Sequence, residues 1–388
     1  MKVKKIKVNN FKSLVDFELA LDKFTCLVGL NGSGKSTVLQ FFDFLSQQIR
    51  GHIKGWLEKR QWKTYELKSK LISKQNINFE VLLFHANSFE VNWTASFNCR
   101  TLRCTSELIH WNKSLIFEVK NGEYRIQSLN KQKSREPINF DYQGSLISQI
   151  KESQLTKEIL EFKKFFESLL TLDLLEPELL KKPTRRASNS LGLGGEGLSA
   201  FLHHLEETER DFIQEKISKI YPNLKRFNVS QMRSGLKKLI IQEQFKETTL
   251  EIESRHIADG FLRLLAVFAQ LSLTQSFLLF DEIENGINPE LIEFLIDTLV
   301  ETRPQMLITT HSPMVLNYLE DNIAIKGVTY LYKEQNGATQ AVRLFDIPSL
   351  REKLTVMGPG EVYDDTLLTQ LVEEITMLKN LQQCKRGL

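Results

Sequence analysis

Apolar and polar positions follow two different periods along this 388-residue chain, and the changes of period mark its organisation. Phe24-Thr25-Cys26-Leu27-Val28 is a short, nearly continuous apolar run, the pattern of a buried strand. Residues 38–45 then carry a broad apolar face at helical spacing. Between 77 and 127 the pattern becomes strand-like, with runs over 77–84, 88–93 and 114–119. Asn121-Gly122 separates the last run from Tyr124-Arg125-Ile126, which is a hairpin signal. These runs predict an antiparallel sheet beside the first strand and helix. From about 145 to 225 the spacing turns helical. Leu160, Phe162, Phe165, Phe166, Leu169 and Leu170 belong to one helical pattern, and Arg210, Phe212, Ile213, Ile217 and Ile220 to a later one. From 236 onward strand and helix signals alternate: strands at 236–242, 249–253, 277–280 and 306–310, helices at 261–273 and 290–302. That alternation predicts a parallel sheet with covering helices.

The junction between the first strand and helix carries the clearest chemistry. Gly29-Leu30-Asn31-Gly32-Ser33-Gly34-Lys35-Ser36 reads G-x-x-x-x-G-K-S, with Thr37 next. Gly29 and Gly34 allow a tight turn whose successive N–H groups, from Asn31 to Thr37, point inward at a phosphate. The positive end of the following helix faces the same anion. Lys35 reaches the outer phosphates, and Ser36 is placed to ligate Mg²⁺. An ordinary glycine turn is the bland alternative, but strand, loop and helix together are the setting this motif needs.

A second apolar run, Phe277-Leu278-Leu279-Phe280, ends in Asp281-Glu282. A buried strand delivering adjacent carboxylates matches a Walker B motif. Asp281 would hold Mg²⁺ and Glu282 would act as general base on the attacking water. Most of the chain lies between Lys35 and Asp281, which excludes the compact GTPases and points to an ATPase with a large insertion.

Composition changes little. Hydrophobic residues make up 41% and charged residues 26%, an ordinary soluble balance. The formal net charge of +3 is too small to argue for nucleic acid. The basic start Met1–Lys7 leads into no apolar core of a signal peptide, and no run reaches a membrane span, so a cytoplasmic protein is expected. Cys26, Cys99, Cys104 and Cys384 lack the paired spacing of a zinc site and read as buried or free thiols. Lys181-Lys182-Pro183-Thr184-Arg185-Arg186 reads as a solvated loop ahead of the glycine-rich 192–197 segment.

Further motifs fall in the order expected of ABC-type ATPases. Ile257-Ala258-Asp259-Gly260-Phe261-Leu262-Arg263, one helix before Asp281, resembles a degenerate SDG-x-x-R signature, with alanine in place of serine at 258. Thr309-Thr310-His311-Ser312-Pro313 occupies the switch-histidine position, and 284–289 the D-loop position. Asn10-Phe11-Lys12-Ser13 is similar to the NFKS that opens many such chains, and Met357-Gly358-Pro359-Gly360-Glu361 resembles a late segment of defence-associated members. Together these resemble the ABC-type group that includes the SMC proteins, the RecF-type repair ATPases and the OLD nucleases.

The resemblance implies a P-loop α/β fold of ABC type: a mixed sheet with flanking helices, an antiparallel β-subdomain and a helical lid. It implies an ATPase lobe built from 1–130 and 231–388, with 131–230 as the lid. It implies ATP and Mg²⁺ as ligands, and a γ-phosphate contact from His311. Two copies would sandwich two ATPs, with Asp259 and Gly260 of one copy closing over the nucleotide of the other in a homodimer or higher oligomer. Gln143 and Gln149 are the two candidates for the Q-loop glutamine. The coiled coils of SMC proteins are absent, and the stretch after His311 is too short for the OLD metal-nuclease domain, with Asp364-Asp365 reading as a surface turn. The expectation is therefore an ATPase switching a separately encoded effector, a nuclease or toxin, in anti-phage defence. The alternative is a RecF/SMC-like repair ATPase whose basic residues at 54–63, 181–186 and 237–238 meet nucleic acid. No membrane partner is expected.

Overall fold

A computed structural model describes residues 1–85, 89–127, 135–172, 175–185, 191–192, 194–273 and 275–386, with backbone alone at 170–172, 379 and 381–386. Ser88, Arg186 and Leu193, which belong to motifs singled out above, lie outside the described residues. So does the side chain of Cys384. The contacts divide the chain into two compact units. One comprises Met1–Leu170 with Gln305–Leu388, the other Thr171–Pro304. The helix Lys157–Glu167 packs on the first helix of the chain, within the first unit.

In the first unit, the run Phe24–Val28 is a strand, fully buried at all five positions. It lies between the parallel strands Gln305–Thr309 and Val328–Lys333, and Thr339–Arg343 adds an antiparallel edge beyond the latter. The helix Lys35–Arg50 follows the glycine loop. Its other face meets an eight-stranded antiparallel sheet in the order 17–20, 2–9, 76–84, 90–98, 103–111, 114–120, 123–126, 136–137. The predicted hairpin at Asn121-Gly122 joins the strands 114–120 and 123–126, pairing Lys120 with Glu123. The opening strand Lys2–Asn9 pairs on both sides within this sheet.

Alternation along these strands sends one side chain in two inward. Phe79 and Phe97 of the sheet meet Phe41 and Phe44 of the helix, with ring centroids 5.9 Å apart for Phe41–Phe79 and 5.0 Å for Phe44–Phe97, and Trp93 packs on Phe79 at 4.9 Å. Trp93 also contacts Phe162 and Phe166 of the helix Lys157–Glu167, at 5.3 and 5.0 Å. Edge-to-face pairs of this kind add about 0.5–1.5 kcal/mol each beyond the area they bury. The abundance of phenylalanine is spent on this layer.

The second unit contains the helices Leu198–His204 and Glu207–Ile220 and a three-stranded antiparallel meander, Leu224–Gln231, Lys237–Phe245 and Thr248–Glu253. The strand signals at 236–242 and 249–253 are therefore correct as strands but do not begin a parallel sheet. Only Lys246 and Glu247 separate the strands Lys237–Phe245 and Thr248–Glu253, and so short a connection can form only a hairpin. The helix Asp259–Leu271, the fully buried strand Phe277–Phe280 and the helix Pro289–Glu301 follow. No helix among the described residues is long and apolar enough to cross a membrane.

Glu107, on the inward face of strand Arg103–Trp111, is completely buried. It accepts hydrogen bonds from Trp93 Nε1 at 2.9 Å, Ser145 Oγ at 2.7 Å and Leu146 N at 3.4 Å. Burial nevertheless dominates and raises its carboxyl from 4.5 to about 7. The unfolded chain thus releases this proton before the folded one, and stability falls as pH rises from 4.5 through about 7. Glu107→Gln, which cannot ionise, should gain on the wild type by up to about 3 kcal/mol between roughly pH 5 and pH 8, measured by urea denaturation. A pH-independent difference would mean that Glu107 titrates as an ordinary carboxylate.

Candidate functional site

The glycine loop is shaped for an anion. Gly34, the N-cap of the helix Lys35–Arg50, has φ 112°, a left-handed conformation open to glycine and costly for other residues. The first turn of this helix carries no acidic side chain, so its positive end is not neutralised from within. Asn31, Gly32 and Ser36 are exposed, Thr37 half-buried, and Ser33 and Lys35 buried. Lys35 Nζ donates to Gly29 O at 2.9 Å and Leu30 O at 3.3 Å, and lies 3.5 Å from Nδ1 of His311.

His311 reaches the loop through strand pairing. The strand Gln305–Thr309 runs parallel to Phe24–Val28, with Thr309 opposite Leu27, and Thr310 N donates to Leu27 O at 3.2 Å. The two strands end level, so the residues just beyond them meet. His311 is exposed, and the short helix Pro313–Asn317 carries the chain away. That helix receives the Met357–Glu361 motif: Asn317 Oδ1 accepts from Gly360 N at 2.8 Å and Glu361 N at 3.1 Å. In the helix Pro359–Asp364 Tyr363 is buried, and that burial raises its pKa to about 12. Asn317 and Tyr363 were not legible as site residues. The late glycine-proline motif was the available signal, and it marks a docking point against the helix after His311.

In the second unit the acidic pair ends the strand Phe277–Phe280, with Asp281 and Glu282 both half-buried. Glu282 adopts φ 46°, a left-handed conformation uncommon for a non-glycine residue and frequent at functional turns. Its Oε2 accepts from Asn285 Nδ2 at 3.2 Å, which orients the carboxylate. Asp259 opens the helix Asp259–Leu271 and pairs with Lys181 at 2.7 Å. A Cβ on Gly260 would lie 2.8 Å from Gly286 O, so this close approach of signature to D-loop requires glycine. Arg263 Nη1 donates to Asn285 O, tying the same two segments. The structure thus gathers Asp259, Gly260, Arg263, Glu282 and Asn285 into one cluster in this unit, as it gathers Lys35 and His311 in the other.

Neither Q-loop candidate reaches the phosphate loop. Gly144 packs on the backbone of Gln48, near the C-terminal end of the helix Lys35–Arg50. Gln143 Oε1 accepts from Lys54 N at 3.1 Å, and Gln149 lies beside Gly51. The helix has 16 residues, about 24 Å at 1.5 Å per residue, and the loop is at its opposite end. Among the described residues no group of three His, Cys, Asp or Glu is placed to hold a metal by itself. A Mg²⁺ ion asks less of a protein than such a cage, since it binds through one or two protein oxygens together with phosphate oxygens and water.

Of the basic residues considered for nucleic acid, Arg60, Lys181, Lys237 and Lys238 have internal partners. Arg60 Nη2 and Trp56 Nε1 both donate to Asp43 Oδ2 at 2.6 Å. Lys12 Nζ sits 3.2 Å from the centre of the Trp62 ring. Lys237 is buried and Lys238 pairs with Glu253. Lys54, Lys59, Lys63, Lys182 and Arg185 are exposed. Asp365 of the late acidic pair meets Lys353 at 2.7 Å on the surface. Cys26, Cys99 and Cys104 are buried free thiols.

Residues 24–317 match the family model described as "AAA domain, putative AbiEii toxin, Type IV TA system". No curated protein matches the chain. Among solved structures it resembles an SMC head bound to the C-winged helix domain of ScpA, at 14% identity and TM-score 0.55, over 88% of this chain and 97% of that one. It also resembles an SMC head with an extended coiled coil bound to the C-terminal domain of ScpA derived from Pyrococcus furiosus, at 14% identity and TM-score 0.54, over 91% and 99%. This likeness shows the fold: a mixed α/β architecture of the SMC-head type.

The Asp43–Arg60 pair has side-chain exposures of 12% and 6%, so breaking it removes a desolvated partner. Asp43→Ala should lower unfolding stability by about 3–5 kcal/mol, read from urea denaturation. A loss below about 1 kcal/mol would place the pair with ordinary surface bridges.

Proposed function

The chain belongs to this family of AAA domains, and from that premise we propose that it is a Mg²⁺-dependent ATPase of ABC type. Its ATP-driven dimerisation switches a separately encoded effector, a nuclease or toxin, in bacterial anti-phage defence. The observation that carries the reading is the meeting of Lys35 and His311 at 3.5 Å, two motif residues 276 positions apart, at an anion-shaped loop.

On this reading the N–H groups of Asn31–Thr37 hold the ATP phosphates, and Lys35 neutralises charge on the outer ones. Ser36 and Asp281 are the residues that would hold Mg²⁺, and the ion would supply neutralisation of developing charge. Glu282, oriented by Asn285, takes the proton of the attacking water. His311 contacts the γ-phosphate. Asp259 and Gly260 of a second copy complete the site, so the nucleotide joins two chains. Phosphoryl transfer asks little covalent work of a protein, and positioning with charge neutralisation supplies most of the catalysis.

The effector role is supported by the toxin–antitoxin description of the family. The two SMC heads of like fold are each bound to a domain of another protein, and this chain would engage its effector in a comparable way. A RecF/SMC-like DNA-binding ATPase is the second reading, favoured by the exposed Lys54, Lys59 and Lys63. Duplex DNA affinity that falls steeply with salt would support it, and affinity absent at low salt would remove it.

Glu282→Gln should bind ATP within about twofold of wild type while turnover falls by about 10²–10⁴. With Mg²⁺ and ATP it should accumulate as a dimer in light scattering. Hydrolysis at the wild-type rate would show that Glu282 is not the base.

A further inference from the structure

A loop that turns its N–H groups toward a ligand turns its carbonyls toward the protein. Each such carbonyl, once buried, needs a donor behind it. The donor for Ser33 O is the hydroxyl of Thr339, at 2.9 Å. Thr339 is completely buried and begins the edge strand Thr339–Arg343.

The hydroxyl of Thr339 has two more partners: Lys333 Nζ at 2.9 Å and Ser13 Oγ at 2.8 Å. A threonine hydroxyl has one hydrogen and two lone pairs. Ser33 O can only accept, so it takes the hydrogen. Lys333 can only donate, so it takes one lone pair. Ser13 is therefore the donor into the other. All three capacities of Thr339 are filled. Its backbone N also donates to Ser13 O at 2.8 Å, which fixes the strand to the turn after Lys2–Asn9. The methyl side is equally constrained, since a Cβ on Gly34 would lie 2.4–3.1 Å from Thr339 atoms. The serine of the Asn10–Ser13 motif thus reaches the phosphate loop through Thr339.

We propose that Thr339 is a positioning residue for nucleotide binding: its hydroxyl sets the Ser33–Gly34 peptide, and so the direction of the N–H groups that receive the phosphates. The inference rests on the ATPase reading. It assigns Thr339 no contact with the nucleotide itself.

The test is ATP affinity, by calorimetry or a fluorescent analogue, beside thermal unfolding without nucleotide. Thr339→Val keeps the shape and removes the hydroxyl, and should weaken ATP binding about tenfold or more, the equivalent of one lost buried hydrogen bond. Thr339→Ser keeps the hydroxyl and should bind within about threefold of wild type. Wild-type affinity in Thr339→Val overturns the proposal, as does equal loss in both variants. If Thr339→Val does not fold, Ser13→Ala decides: it removes one donor into the hub and should weaken binding measurably, and wild-type affinity there overturns the proposal. Lys35→Ala separates this inference from the reading beneath it. If Lys35→Ala abolishes binding while Thr339→Val does not change it, only the role of Thr339 falls. If Lys35→Ala binds ATP as wild type does, the nucleotide-site reading falls and takes this proposal with it.

Discussion

Inward-facing N–H groups force outward-facing carbonyls, and at residues 29–34 that single constraint dictates much of what surrounds the loop. The carbonyls of Gly29 and Leu30 take Lys35 Nζ, and that of Ser33 takes Thr339. The short turn of chain that carries the motif is thus fixed by groups drawn from its own helix and from the later strand Thr339–Arg343. Glycine at 34 is the complement of this arrangement, because the space where a side chain would stand is filled by Thr339.

The helix that follows is held with matching firmness. Phe41 and Phe44 lock its face into the aromatic layer on the eight-stranded sheet. Asp43, between them in sequence, accepts from Trp56 and Arg60. A helix fixed along its length presents its N-terminal dipole in a constant direction, which is what an anion site requires. The polar and apolar contacts therefore serve one end: the loop is set by hydrogen bonds and its helix by packing.

Legibility in the sequence followed the range of the interactions. The strand Phe24–Val28, the strand Phe277–Phe280 and the turn at Asn121-Gly122 rest on local periodicity and turn chemistry, and their reading matches the structure at those residues. Strand partners depend on distant segments. The strand signals at 236–242 and 249–253 were therefore read as part of a parallel sheet, although the tight connection between those strands excludes that. The motif residues were legible because nucleotide chemistry restricts residue types at fixed spacing. Gln143 and Gln149 were not resolved by type alone, since a glutamine carries no mark of which end of a helix it adjoins. Thr339 and Asn317 left no local trace, because a buried hydroxyl or amide is recognisable only by the groups folded against it.

The donor to Ser33 lies 306 residues further along the chain. At the usual pace of translation, about 5–20 residues per second, that interval lasts on the order of tens of seconds. Throughout it the nascent polypeptide already carries the glycine loop but has not yet made the threonine that orients it. The loop therefore takes its final backing only once residue 339 has been made. A ribosome-bound fragment that ends before that point carries the glycine-loop sequence without the hydroxyl that meets Ser33 O.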